Sequence, residues 1–390
     1  VKKWLTLTLV TILAASTVAV FATYYLEAQS EADVYVGASF CGNTASEAKL
    51  LIDRVKDYTN LFVLQSGPIS RNETATTEIC DYAVNAGLKI IVYFGDLTPG
   101  LAEENGWGWR LSWVNTARYR WGDNFLGVYY YDEPGGLQID CNWTEHNPVH
   151  WNVTVDEPDY DEIAYLFNQR FEWDEGFQFA KDEAPALFVS DYALYWWDYT
   201  GGYDVVFAQA GWNHSLAQSI GLVRGAARLQ GKSWGTIITW KYSEPPYLDS
   251  GEAIYWQMRA AYEAGTEYIV FFSYPVVEGN EYGGAMEEQH FNALQRFWYE
   301  VGKNPSVVHG SSDAEAALVL PRNYGWGMRN ANDRIWGWWG PDDKSPQIWN
   351  ISRQLLTEYI TRLDIVYDDP AFPAQSVYEK VYYWNQTSFD

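Results

Sequence analysis

The chain has 390 residues and a formal net charge of −25, from 51 acidic against 26 basic side chains, with 47% hydrophobic residues. That length and apolar content suffice for one large domain and a small one. The charge repels nucleic acid and anionic lipid; it fits a solvated acidic surface, or a site for a neutral sugar or a cation.

The first residues set a compartment. Lys2 and Lys3 precede an apolar run from Trp4 to about Leu26, with small residues near Ala22 and Ala28. This fits a signal peptide, and the run is also long enough for a membrane anchor. Residues 1–30 are therefore set apart from the fold, and the remainder is expected to face the outside, secreted or tethered to the membrane. Sequons at Asn72, Asn142, Asn152, Asn213, Asn350 and Asn385 agree with that placement.

From residue 31 strands and helices alternate. Strands are predicted at Val34–Phe40, Leu61–Gln65, Lys89–Phe94 and Leu126–Tyr131. Helices fall between them at Ser46–Tyr58, at Thr74–Ala86 before the stop at Gly87, and within Trp107–Trp121. A long Asp-, Asn-, Pro- and Trp-rich insertion, Leu137–Tyr160, follows the fourth strand. Its acids lack the spacing of a calcium loop. A helix is predicted at Asp161–Asp182, then strands at Ala186–Ser190, Asp204–Gln209, Trp234–Trp240 and Tyr268–Ser273, separated or followed by helices at Ser215–Leu229, Gly251–Ala264 and Met286–Val301. Apolar runs such as Ile269-Val270-Phe271-Phe272 suit parallel strands buried on both faces. The order and count predict an α/β fold, a (β/α)8 TIM barrel over residues 31–304. A doubly wound open sheet is the alternative, and it lacks a Gly-rich phosphate loop after the first strand. Residues 305–390 read as a small α/β module that packs on the barrel, with strands at Ala316–Leu320, Leu363–Tyr367 and Tyr378–Tyr383 and a helix at Ile348–Ile360.

Barrel sites form at the C-terminal ends of the strands. The polar residues there are Gln65, Asp96, Asp132, Glu133, Asp191, Gln209, Asn213, Lys241, Glu244 and Tyr274. Carboxylates dominate, with no Ser, His and Asp set. The 5 His show no ligand spacing, and Cys41, Cys80 and Cys141 form no CxxC. No metal or cofactor is expected. The three thiols allow one disulfide with a free thiol, or three buried thiols. Carboxylates without a metal favour glycoside chemistry, in which one carboxyl protonates the leaving oxygen while a second attacks the anomeric carbon or activates water. Glu133 is the expected proton donor, because a neighbouring Asp132 raises its pKa. Aromatic residues, 17% of the chain with 21 Trp, add sugar-stacking candidates. Trp197, Trp240 and Tyr274 are taken as substrate-binding, with Asp132, Asp191, Asp96 and Asn213.

The Asp132-Glu133-Pro134 ending of strand four resembles the acid/base motif of the clan A barrel glycoside hydrolases. In that clan an Asn precedes the Glu at the end of strand four, and a nucleophile Glu ends strand seven. The resemblance implies that Glu133 is the acid/base residue and Glu244, in the loop after strand seven, the nucleophile of a retaining enzyme. Asp132 stands where the clan has Asn, and no Thr-Glu-Gly type of ending is present. The module after the barrel resembles, in shorter form, the α/β domain behind the barrel of family 42-type β-galactosidases. The expected function is hydrolysis of an extracellular polysaccharide or glycan. A glycan-binding barrel without catalysis and a structural envelope protein are the alternatives.

Overall fold

A computed structural model describes residues 34–141, 157–304 and 306–386. The segment 1–30 and the sequons at Asn142 and Asn152 lie outside the described residues. Among the described residues no helix is long and apolar enough to cross a membrane.

Eight parallel strands close into a barrel in chain order, with β1 paired to both β2 and β8. They are β1 (Tyr35–Phe40), β2 (Leu61–Leu64), β3 (Lys89–Gly95), β4 (Phe125–Tyr130), β5 (Leu187–Asp191), β6 (Val205–Ala210), β7 (Ser233–Ile238) and β8 (Tyr268–Phe272). Each strand is apolar on both faces because one side fills the barrel and the other meets a helix. Leu61, Val63, Ile91, Tyr129, Phe188, Val205, Phe207, Ile237, Tyr268 and Val270 form the interior. Side chains alternate along a strand. Interior packing by Ile91, Val63, Phe188, Phe207, Ile237 and Val270 therefore turns Tyr93, Gln65, Ser190, Gln209, Thr239 and Phe272 toward the barrel mouth.

One local expectation is corrected, and one helix is added. The helix expected at 161–182 is two, Tyr160–Trp173 and Glu175–Glu183. Asp174 breaks it: its side chain caps the second helix by accepting from the Phe177 N–H, and it also receives the hydroxyls of Tyr130 and Tyr131. The aromatic run Tyr195–Gly201 is a short buried helix with no amphipathic period to announce it.

The C-terminal module is a parallel three-stranded sheet in the order β10 (Leu363–Tyr367), β9 (Ala316–Leu320), β11 (Lys380–Tyr383), with the helix Ser345–Tyr359 against it. The helix Leu216–Gln230, between β6 and β7, approaches β10 so closely that a Cβ on Gly221 would lie 2.5 Å from the Leu363 carbonyl oxygen. Arg224 of this helix donates to Asp364 at 2.8 Å and to the carbonyls of Thr361, Ala264 and Ser312. Tyr378 donates to the other Asp364 oxygen at 2.6 Å. Residues 35–390 form one compact unit. The cysteines are free thiols, Cys41 and Cys80 buried and Cys141 partly so.

Candidate active site

The end of β4 is built under strain. Tyr131 and Glu133 take left-handed backbone angles, φ 58° and 51°, on either side of Asp132. Such angles cost non-glycine residues about 1–3 kcal/mol each, so the surroundings must impose them. The Tyr131 N–H donates to the Gly95 carbonyl and the Glu133 N–H to the Ser190 carbonyl, each at 3.0 Å. Pro134 then opens the helix Pro134–Asp140 at its first position. Gly135 and Gly136 are required by close approach: a Cβ on them would lie 2.4 Å from the Ala193 carbonyl oxygen and 2.1 Å from the Tyr192 ring.

Asp191 holds this turn. Its carboxylate accepts from the N–H groups of Gly135 at 2.6 Å, Gly136 at 2.8 Å, Tyr192 at 2.7 Å and Ala193 at 3.1 Å. It is fully buried, because β5 alternation turns Ser190 into the mouth and Asp191 away from it. The expectation that Asp191 binds substrate is thereby corrected: it positions the β4 turn. Asp198 lies beside it, fully buried, and among the described residues neither of its oxygens meets a hydrogen-bond donor. Burial and the Asp191 charge hold Asp198 well above the carboxylate range, so it stays neutral. Burial pushes the Asp191 carboxyl up to about 7, and the four N–H groups pull it back toward its charged form.

Asp132 and Glu133 face the mouth. Asp132 is exposed by its surface, although protein rings it on most sides. The surrounding protein pushes its carboxyl up, and hydrogen bonds from Tyr129 and Ser190 pull it back. Both bonds reach Oδ1, at 2.5 Å from Tyr129 and 3.3 Å from Ser190, which leaves Oδ2 to the mouth. Glu133 is half-buried, and its Oε1 accepts from Gln209 Nε2 at 2.5 Å. Burial first, and then the charges of Asp132, Asp191 and Asp140, push the Glu133 carboxyl up to about 7. A carboxyl there is about half protonated near neutral pH, and the protonated form is the state a general acid needs.

An aromatic wall stands at the ends of β6 to β8. The Trp212 and Trp240 rings lie 4.3 Å apart, and Trp240 and Tyr274 lie 5.4 Å apart. Trp212 is 36% and Tyr274 40% exposed, so flat faces are open at the mouth. In the ring of strands β8 lies opposite β4, which sets Tyr274 across the mouth from Glu133.

The other expected residues are placed as follows. Asn213 is exposed beside Trp212 and lines a cavity of about 150 Å³ with Tyr192, His214 and Arg329. Asp96, at the end of β3, is half-buried and accepts from the Thr98 N–H at 2.7 Å. Trp197 is corrected: it is 1% exposed and packs on Trp336 and Tyr367, outside the barrel and away from the mouth. Glu244 lies six residues past the last residue of β7, Ile238, at the exposed tip of a turn. In that turn the N–H groups of Lys241 and Tyr242 both donate to the Tyr247 carbonyl. The position at the mouth immediately past β7 belongs to Thr239. Sequence reasoning missed Tyr129, Ser190 and Trp212. Alternation through Phe188 is the signal that would have turned Ser190 inward, and the register sets Tyr129 opposite Phe188.

No family model matches the chain, and no curated protein matches it in sequence. Solved structures match the fold. A GH5_18 protein from Streptomyces cattleya, solved in complex with GlcNAc, superposes with a TM-score of 0.52 at 11% identity, covering 90% of this chain and 99% of its own. An exo-β-1,4-mannosidase from Opitutaceae bacterium strain TAV5 superposes with a TM-score of 0.51 at 12% identity, covering 90% of this chain and 72% of its own. The chain shares the (β/α)8 barrel of these glycoside hydrolases. At such identity the likeness concerns the fold.

Proposed function

We propose that the protein is an extracellular glycoside hydrolase acting on a polysaccharide or glycan, with Glu133 as the proton donor to the leaving oxygen. The observation that carries this reading is the Glu133 carboxyl itself, raised to about 7 at the end of β4 and held by Gln209. The open faces of Trp212 and Tyr274 support a sugar ligand, since pyranose rings stack on such faces. Structural neighbours named as a mannosidase and as a GlcNAc-bound GH5_18 protein support the same class. The exposed sequon residues Asn72, Asn213, Asn350 and Asn385 support placement outside the cell.

The test is turnover on a polysaccharide and aryl-glycoside panel, with Glu133→Gln as the control. Removing a general acid costs about 10²–10⁴ in rate. In the wild type kcat/KM should fall as pH rises through about 7, because the proton on Glu133 is lost there. Wild-type rates in Glu133→Gln would overturn the assignment. A second reading, a glycan-binding barrel without catalysis, is favoured by one observation: Glu244 sits on an exposed turn, and the residue that follows β7 at the mouth is Thr239. Glycan binding with no turnover on the whole panel would establish that reading.

A further inference from the structure

Retaining hydrolysis by two carboxylates needs one on each face of the sugar ring, about 5–5.5 Å apart. The carboxylates whose charges act most strongly on Glu133 are Asp132, Asp191 and Asp140. Asp191 is consumed by four backbone N–H groups. Asp140 is bound to Arg329 at 2.8 Å and accepts from Tyr192 at 2.7 Å. Asp132 remains, with Oδ2 open to the mouth. Its Cα lies about 3.8 Å from that of Glu133 on the same strand end, so the two approach a substrate from one side. Adjacent residues cannot straddle an anomeric carbon. Asp132 is nevertheless firmly aimed, since Tyr129 and Ser190 fix Oδ1. The Tyr93 ring packs edge-on to Tyr129 at 5.5 Å. Among the described residues, the charges that act most strongly on Glu133 come from its own side of the mouth, and a fixed carboxylate beside the acid suits a substrate that carries its own nucleophile.

Resting on the glycosidase reading above, we infer that the substrate is a 2-acetamido-2-deoxy-β-hexoside whose acetamido oxygen attacks the anomeric carbon while Asp132 accepts the acetamido N–H. In the first step the C1–O bond to the leaving group breaks and the Glu133 proton passes to that oxygen. The acetamido carbonyl oxygen forms the new bond to C1, giving an oxazolinium ion whose N–H is held by the Asp132 carboxylate. In the second step water attacks C1 and gives a proton to Glu133, the C1–O bond of the oxazolinium breaks, and the acetamide is restored. The sum is addition of one water with retention at C1. The acetamido group supplies the attack from the face opposite the leaving group, which no side chain of the β4 end can reach.

The experiment compares aryl 2-acetamido-2-deoxy-β-glucosides and β-galactosides with the corresponding plain β-hexosides, on the full chain. The expected kcat/KM is at least about 100-fold higher for the acetamido substrates, and about 100-fold lower again when the acetyl group is replaced by the less nucleophilic trifluoroacetyl. The thiazoline analogue of the oxazoline should inhibit the wild type competitively and bind Asp132→Asn at least about 10-fold more weakly. Intact-mass measurement with activated 2-deoxy-2-fluoro-hexosides should show no covalent adduct. Equal rates on plain hexosides, or a fluorosugar adduct on Glu244 or any other carboxylate, would overturn the inference and leave the glycosidase reading standing. No hydrolysis of any glycoside would overturn both.

Discussion

At the scale of single residues, the site is a set of carboxylates kept apart by what each one touches. Glu133, Asp132, Asp191 and Asp198 lie close together, and each has a different occupation: a proton donor, a fixed acceptor, an anchor for backbone N–H groups, and a neutral buried acid. The state of Glu133 has a thermodynamic consequence. Its carboxyl moves from an ordinary 4.5 to about 7 on folding. Between those values the folded chain binds more protons than the unfolded one. Stability is therefore fullest below about 4.5 and is lost as pH rises through about 7. Glu133→Gln removes that loss. In urea titrations the variant should match the wild type near pH 4 and exceed it near pH 8, by on the order of 1 kcal/mol once solvent screening at a half-buried group is allowed for. Asp191→Asn tests the anchor. An amide cannot accept all four N–H groups, so a loss of about 1–3 kcal/mol is expected. Because the Asp191 charge helps to raise Glu133, the alkaline limb of kcat/KM should also move to lower pH.

At the scale of elements, two junctions position the site. The first is the β4 turn, where Gly136 meets the Tyr192 ring. Gly136→Ala should cost about 1–3 kcal/mol through overpacking and lower kcat more than it changes KM, as read by steady-state kinetics. The second is the helix Leu216–Gln230 against β10. The Arg224–Asp364 pair is buried, 2% and 0% exposed at the side chains. Replacing Arg224 with Met would leave Asp364 unpaired, apart from Tyr378 and a more distant Arg228, at a cost of about 3–5 kcal/mol. Thermal denaturation of this variant should show the loss without any change in the pH profile of the remaining activity, because Arg224 lies on the far side of the helix layer.

Much of this level was legible in the sequence. Parallel strands buried on both faces leave continuous apolar runs, and Ala316–Leu320 and Leu363–Tyr367 were read to the residue. What escaped depended on parity and on tertiary partners. A carboxylate at a strand's end reads the same whether it turns inward, as Ser190 does, or outward, as Asp191 does. Trp197 sits in a run without period, the pattern of an exposed platform, and is buried because the C-terminal sheet covers it. Glu133 stood out because Pro134 and two glycines stop a strand abruptly beside paired acids. Its partners Tyr129 and Ser190 looked like ordinary strand residues.

At the scale of the whole molecule, barrel and C-terminal sheet share one compact unit. Trp196 and Trp197 bury their faces on Tyr367, and Gln138, in the helix after Glu133, donates to the Trp336 carbonyl at 2.9 Å. The C-terminal module thus supports the element that carries the proton donor. Calorimetry should therefore show a single unfolding transition for residues 31–390. The account's central claim is that Glu133 delivers a proton to the leaving oxygen. The most direct measurement is kcat/KM of Glu133→Gln against wild type across leaving groups of falling basicity. A lost acid should cost about 10³-fold on a sugar or alkyl leaving group and under about 10-fold on a dinitrophenyl one, which departs without a proton. An equal defect on both, or none on either, would contradict it.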